Sequence, residues 1–110
     1  MMKIIVNKIP WSILYVPSNS PNLLRSDGSI TLGVTDRNVN CVFISNSLRG
    51  DLLYKVLCHE LCHVYVFSYD VYISLDEEER MADFISSFGK SIITDTDYLF
   101  SNVFKKIISR

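Results

Sequence analysis

The sequence predicts an α+β fold: a small, mainly antiparallel three-stranded sheet packed against three helices. β-favouring runs separated by turn residues fill the first half of the 110-residue chain, and runs with helical spacing fill the second. Strands gathered ahead of helices, rather than alternating with them, form the α+β pattern. A hydrophobic share of 48% and a charged share of 21% suit one core, so residues 1–110 are expected to make a single domain.

The first predicted strand, Trp11 to Val16, is bounded by Pro10 and Pro17, and SNSPN at 18–22 is turn chemistry. The second, Ser29 to Thr35, alternates around Gly33, and the third, Val39 to Ser45 (VNCVFIS), is the clearest. Short strands with tight connections predict an antiparallel meander. Asn46 and Ser47 offer caps for a first helix from about Asp51 to Ser68. SLDE at 74–77 fits a capping box, opening a second helix from Leu75 to Phe88 that closes near Gly89. A third helix, Asp97 to Ile108, is predicted from the spacing of Leu99, Phe100, Val103, Phe104, Ile107 and Ile108.

With 11 basic and 12 acidic side chains, a net charge of −1 and a pI near 6.0, the chain lacks the electrostatic footprint of a nucleic-acid binder. Lys105, Lys106 and Arg110 read as a solvated helix face. The opening MMKIIVNKIPWSILYV is interrupted by Asn7, Lys8 and Pro10 and does not read as a signal peptide. The most apolar region, Leu52 to Leu75, carries Lys55, His59, Glu60, His63 and Asp70, which fits a protein core and not a lipid-facing span. Three cysteines, Cys41, Cys58 and Cys62, argue for a reducing compartment. The expectation is a cytoplasmic protein with neither membrane nor nucleic acid as a direct partner.

Chemistry concentrates in HELCH, residues 59–63, which holds both histidines of the chain. An α-helix turns about 100° per residue, so His59 and His63 project together and can share one Zn2+. Glu60 falls beside that position, where a carboxylate can take a proton from water activated by the ion. Leu53, Leu57, Leu61 and Val64 form the packed face opposite, and Cys58 and Cys62 lie on a third side as unpaired, space-filling thiols. The competing reading is a helix that buries two histidines and a glutamate without metal, at a cost of several kcal/mol if they stay uncompensated.

A catalytic zinc takes three protein ligands and keeps a position open. DEEERMADF, residues 76–84, supplies Glu79 sixteen residues after His63, with Asp83 one turn further on the same face. Glu79 is the expected third ligand and Asp83 the carboxylate that accepts the free ring N–H of His59. Glu78 is the rival ligand, because a one-residue shift in the start of the helix changes which carboxylate faces inward.

HELCH followed by ERMAD resembles the HExxH plus ExxxD pattern of gluzincin metallopeptidases. The compact layout over residues 29–90 is similar to the ImmA/IrrE family of small zinc metallopeptidases of phages and mobile elements. That resemblance implies a minimal zincin-like domain, a Zn2+ cofactor held by His59, His63 and Glu79, and Glu60 as general base. The substrate it implies is a protein or peptide, often a repressor-type regulator. Cys62 departs from the family, which commonly has a small residue there. Either Val39–Ser45 or Ser29–Thr35 is expected to pair with an extended substrate. Tyr65, Tyr69 and Tyr72 are the candidate oxyanion donors. The alternatives are a zinc-containing regulatory or interaction domain without catalysis, and an interaction domain without metal.

Overall fold

Asn7 and Lys8 both take left-handed backbone angles, φ 49° and 66°, and so turn the chain back on itself in a two-residue hairpin. This joins β1 (Met2–Val6) to β2 (Ile9–Val16) in antiparallel register, Met2 opposite Ile13 and Val6 opposite Ile9. Residues 2–108 are described in the structure, a computed structural model. The stretch read as an interrupted apolar run is therefore a hairpin: the interrupting Asn7 and Lys8 are its turn, and Pro10 sits in β2 ahead of Ser12, where the pairing of β2 with its other neighbour begins.

From β2 the chain passes through a short 3-10 turn at Pro21–Leu23 and a polar excursion before β3 (Gly33–Asp36). A tight turn, with Asn40 at φ 51° and Asn38 N–H donating to Asp36 at 2.9 Å, leads into β4 (Cys41–Ser45). β4 pairs antiparallel with β3 and parallel with β2, Ser12 opposite Cys41 through Val16 opposite Ser45. The result is a four-stranded mixed sheet in the order β1-β2-β4-β3. This corrects the expected three-stranded antiparallel meander. Val42 and Ile44 on the doubly paired strand are both fully buried, as befits an interior strand. The parallel pairing makes β4 that interior strand, leaving β3 and β1 at the edges. Of the predicted Ser29–Thr35 strand only Gly33 onward is in the sheet; Ile30 bridges back to Leu24 instead.

α1 (Gly50–Ser68) lays Val64 into a core with Trp11, Ile13, Val42, Ile44 and Leu48, with Leu53, Val56, Leu57 and Leu61 packed around it. Asn46 and Ser47 do not cap it. Ser47 bonds Ser45, and the Asn46 N–H extends the sheet to Val16 O at 2.8 Å, so both tie off β4 and Arg49 occupies the cap. The far end of α1 is fastened by Trp11, which donates its Nε1–H to Ser68 Oγ at 2.9 Å, and by Asn7, whose Nδ2 donates to Ser68 O at 2.8 Å. There the helix closes with Asp70 in the left-handed region (φ 50°), Val71 N–H on Val66 O and Asp70 N–H on Phe67 O.

Ser74 Oγ accepts the N–H of Glu77 at 3.2 Å and opens α2 (Leu75–Ile108) where the sequence predicts. α2 does not close at Gly89. The second and third predicted helices are one 34-residue helix, because a lone glycine costs a helix only about 1 kcal/mol and no proline interrupts the run. At about 1.5 Å per residue the rod is roughly 51 Å long and accounts for the long dimension of a 61 × 31 × 27 Å molecule. Its first half packs on α1, whereas Ile92, Leu99 and Val103 beyond it are exposed. The side chains of Phe104, Lys106, Ile107, Ile108 and Arg110 lie outside the described residues. No described helix is long and apolar enough to cross a membrane.

Trp11→Phe keeps most of the ring but removes the donor to the buried Ser68 hydroxyl. It is expected to lower unfolding free energy by about 1–3 kcal/mol, read as a shifted denaturant midpoint with an unchanged slope.

Candidate metal centre

One helical turn separates His59 from His63, and both rings point toward the first turns of α2. Moving toward the C-terminus of α2, the partners step back along α1: His63 meets Glu78 and Glu79, His59 meets Glu79 and Asp83, Cys58 reaches Ile85, and Tyr54 lies under Lys90. The helices are therefore antiparallel here. This alignment brings three carboxylates from α2 onto two imidazoles of α1.

The pairing divides the ring nitrogens by task. His59 Nδ1 is 3.1 Å from Asp83 Oδ1, and His63 Nδ1 is 2.5 Å from Glu78 Oε2. Both Nε2 atoms are turned toward each other and toward Glu79. They lie 3.3 Å apart, His59 Nε2 is 3.3 Å from Glu79 Oε2, and His63 Nε2 is 3.2 Å from Glu79 Oε1. Two ligand bonds of about 2.0–2.1 Å at a tetrahedral angle put ligand atoms roughly 3.3–3.4 Å apart. The three donor atoms are thus at a separation that suits a single shared ion, and His59, His63 and Glu79 could hold a metal.

The expected ligand Glu79 and the expected His59 partner Asp83 come to these positions, and the rival ligand Glu78 has a different one. Glu78 is buried against His63 Nδ1, whereas the Glu79 side chain is 50% exposed at the mouth. On a helix, adjacent carboxylates diverge by about 100°, so two neighbours can serve opposite ends of the same imidazole. Rivals for one role in the sequence, Glu78 and Glu79 take different ones in the structure.

Glu60 is 7% exposed and faces β3. The Thr35 hydroxyl lies 2.9 Å from Glu60 Oε1, to which it donates, and 3.1 Å from the Glu60 carbonyl oxygen. Burial pushes the Glu60 carboxyl above its ordinary range, while the Thr35 hydrogen bond and the two imidazoles oppose that rise. Gly33 lets the strand come this close: a Cβ there would lie 3.0 Å from Glu60 Cγ and from Val56 Cγ1. Thr35 and Gly33 could not be read as site residues locally, because only the sheet order brings their strand to α1.

A cleft of about 510 Å3 opens over the centre, lined by β3 (Gly33, Val34, Thr35) and by Arg25, Phe67 and Leu75 together with the histidines and glutamates. The back of His63 is supported by Phe67, which stacks between it (6.3 Å, 24°) and Trp11 (6.4 Å, 20°) under the Arg37 guanidinium. None of the three candidate tyrosines lines the cleft, and their positions fit the core or interface role usual for tyrosine. Tyr65 and Tyr69 stack on one another along an apolar groove, and Tyr72 is fully exposed. Arg25 is the one Lys or Arg in the cleft wall among the described residues, and nothing in its loop sequence marks it. Cys58 and Cys62 line the apolar groove with Leu61, Met81 and Ile85, unpaired, and burial raises both thiols.

No protein-family model matches the chain, and neither a curated protein nor a solved structure matches it at a significant level.

Gly33→Ala is expected to cost about 1–3 kcal/mol of stability through overpacking against Glu60 and Val56, measured by thermal or denaturant unfolding. At pH 8, Cys58 and Cys62 are expected to react with iodoacetamide more slowly than glutathione does, because less of each raised thiol is thiolate. Peptide mapping at timed intervals measures this, and the difference should vanish in denaturant.

Proposed function

We propose that the chain is a zinc-dependent peptidase that hydrolyses a protein substrate in the cleft above His59, His63 and Glu79. The observation that carries the reading is the mutual 3.2–3.3 Å spacing of two Nε2 atoms and a carboxylate, beside a buried glutamate and open to a cleft. A zinc brace needs no buried carboxylate next to it. A hydrolytic centre does, which favours catalysis over a purely architectural ion.

A zinc ion held by the three side chains supplies Lewis acidity, acidifying water toward neutrality and polarising a peptide carbonyl. The protein's own groups do the rest. Asp83 and Glu78 hold the proton of each imidazole at Nδ1, leaving the Nε2 lone pairs for the ion. Glu60 takes a proton from water and returns it to the leaving amine. Burial raises its pKa above the ordinary carboxylate range, the direction a general base working near neutral pH requires. β3 is a sheet edge lining the cleft, suited to hold an extended peptide by backbone hydrogen bonds. β4 has both edges occupied and cannot serve in that way. The resemblance of HELCH and ERMAD to small phage-type metallopeptidases supports a regulatory or repressor-type protein as substrate. The unpaired cysteines support a cytoplasmic setting.

Glu60→Gln is expected to lower cleavage of a protein substrate roughly 10²–10⁴-fold while the protein retains one zinc per chain, measured by elemental analysis beside a new-N-terminus survey of expressing cells. Equal, non-zero cleavage by wild type and Glu60→Gln would reject Glu60 as the general base; full zinc with no cleavage by either would reject catalysis and leave the brace. His63→Ala and Glu79→Ala are expected to lose the zinc, and Glu78→Gln to weaken its binding about 10–100-fold, read by competition with a chromogenic chelator.

A further inference from the structure

Beside the metal centre, between the N-terminal half of α1 and the segment leading into β3, lies a second cavity of about 260 Å3. It shares Arg25, Gly33, His59 and Glu60 with the main cleft, so the two adjoin along that wall. To these it adds Lys55 and two hydroxyls, Thr31 and Ser86. Its charge is therefore opposite in character to the rest of the cleft, where Glu78 and Glu79 lie with Phe67 and Leu75.

Both cations are exposed, and the charge of Arg25 acts on Asp27 without a direct contact between them. Neither Arg25 nor Lys55 forms an ion pair among the described residues; Arg25 donates through Nη2 to Thr31 Oγ1 at 3.1 Å. Asp27, the acid nearest Arg25 in the loop, is occupied by the N–H and hydroxyl of Ser29 at 2.9 and 2.6 Å. Glu60, the only carboxylate in the cavity wall among the described residues, accepts from Thr35. The volume is below the roughly 300–1,000 Å3 of pockets that take a whole small ligand, which suits one side chain or one chain terminus. The Thr31 and Ser86 hydroxyls donate to Gly33 O and Asp83 O, so the donors for a ligand are the guanidinium fork and the ammonium, which match a planar carboxylate.

We infer that this cavity binds a carboxylate of the substrate between Arg25 and Lys55, setting a preference for an acidic group next to the bond cut at the adjoining centre. The inference rests on the peptidase reading for its role in cleavage, but the binding itself can be measured without any hydrolysis. An Asp or Glu side chain and a free C-terminal carboxylate present the same chemistry.

The test has two arms on the zinc-loaded protein. In the first, dicarboxylates from succinate to pimelate are compared with monocarboxylates of equal length by calorimetry. At least one dicarboxylate is expected to bind ten times tighter or more than its monocarboxylate counterpart, with that advantage lost in an Arg25→Gln/Lys55→Gln variant of unchanged zinc content. In the second, mixed peptides with free or amidated C-termini are digested and the cut sites sequenced. Acidic residues enriched beside the cut in amidated peptides assign the cavity to a side chain, and cleavage confined to free termini assigns it to the terminal carboxylate. Either result supports the inference, and in the double variant the ratio of acidic to neutral cleavage should fall roughly 10–100-fold, as expected for losing charge-assisted hydrogen bonds. Equal binding of di- and monocarboxylates overturns it, as does a cleavage pattern blind to acidic groups. If no peptide is cut, the peptidase reading fails alone and the dicarboxylate comparison still decides this one.

Discussion

Each imidazole of the pair is held at both ring nitrogens by carboxylates from a single helix, and the remaining architecture depends on that clamp. His63 sits between Glu78 and Glu79, and His59 between Asp83 and Glu79. A histidine buried as these are, with one nitrogen unsatisfied, loses about 1–3 kcal/mol, so sliding α2 along α1 by a turn would leave several such groups unpaired at once. Apolar contact between the helices allows many registers; the carboxylates select one. The clamp also keeps both Nε2 atoms pointing into the same small volume, the condition a shared ion requires.

The sheet contributes through its edge and not its centre. Parallel pairing of β2 with β4 places β3 outermost, against the histidine-bearing helix, and Gly33 removes the one side-chain atom that would hold the strand away. Thr35 can then reach Glu60. Glu60 is thus fixed from the sheet side and the histidines from the α2 side, so groups with different tasks are oriented by different elements. Trp11 and Phe67 back the arrangement with an aromatic stack running from β2 to His63.

Helix chemistry was legible in the sequence because its period is local. His59 with His63, and Glu79 with Asp83, lie one turn apart in the text as in space, and the start at Leu75 follows from Ser74. What depends on pairing between distant segments was not legible. β1 went unread because its turn, Asn7 and Lys8, resembles an interruption unless both residues are known to be left-handed. The mixed sheet escaped notice because nothing in VNCVFIS says whether its neighbour runs parallel. Gly89 reads as a stop because a glycine often follows the last residue of a helix, yet here the flanking residues carry the helix through it. The role of Glu78, and the presence of Arg25, Lys55 and Thr35 near the centre, follow from tertiary placement alone.

The six residues between the helices act as a spacer of fixed gauge. At one end Asp70, bent into a conformation that favours glycine, stops α1; at the other the Ser74 hydroxyl starts α2. With both ends pinned, an extra residue has little slack in which to hide, and if carried into α2 it would rotate every following side chain by about 100°. Glu78 would then take the bearing of Glu79, and Asp83 would swing off its imidazole. Length variation among descendants of this chain should therefore collect in the polar excursion between β2 and β3 and spare the hinge between the helices.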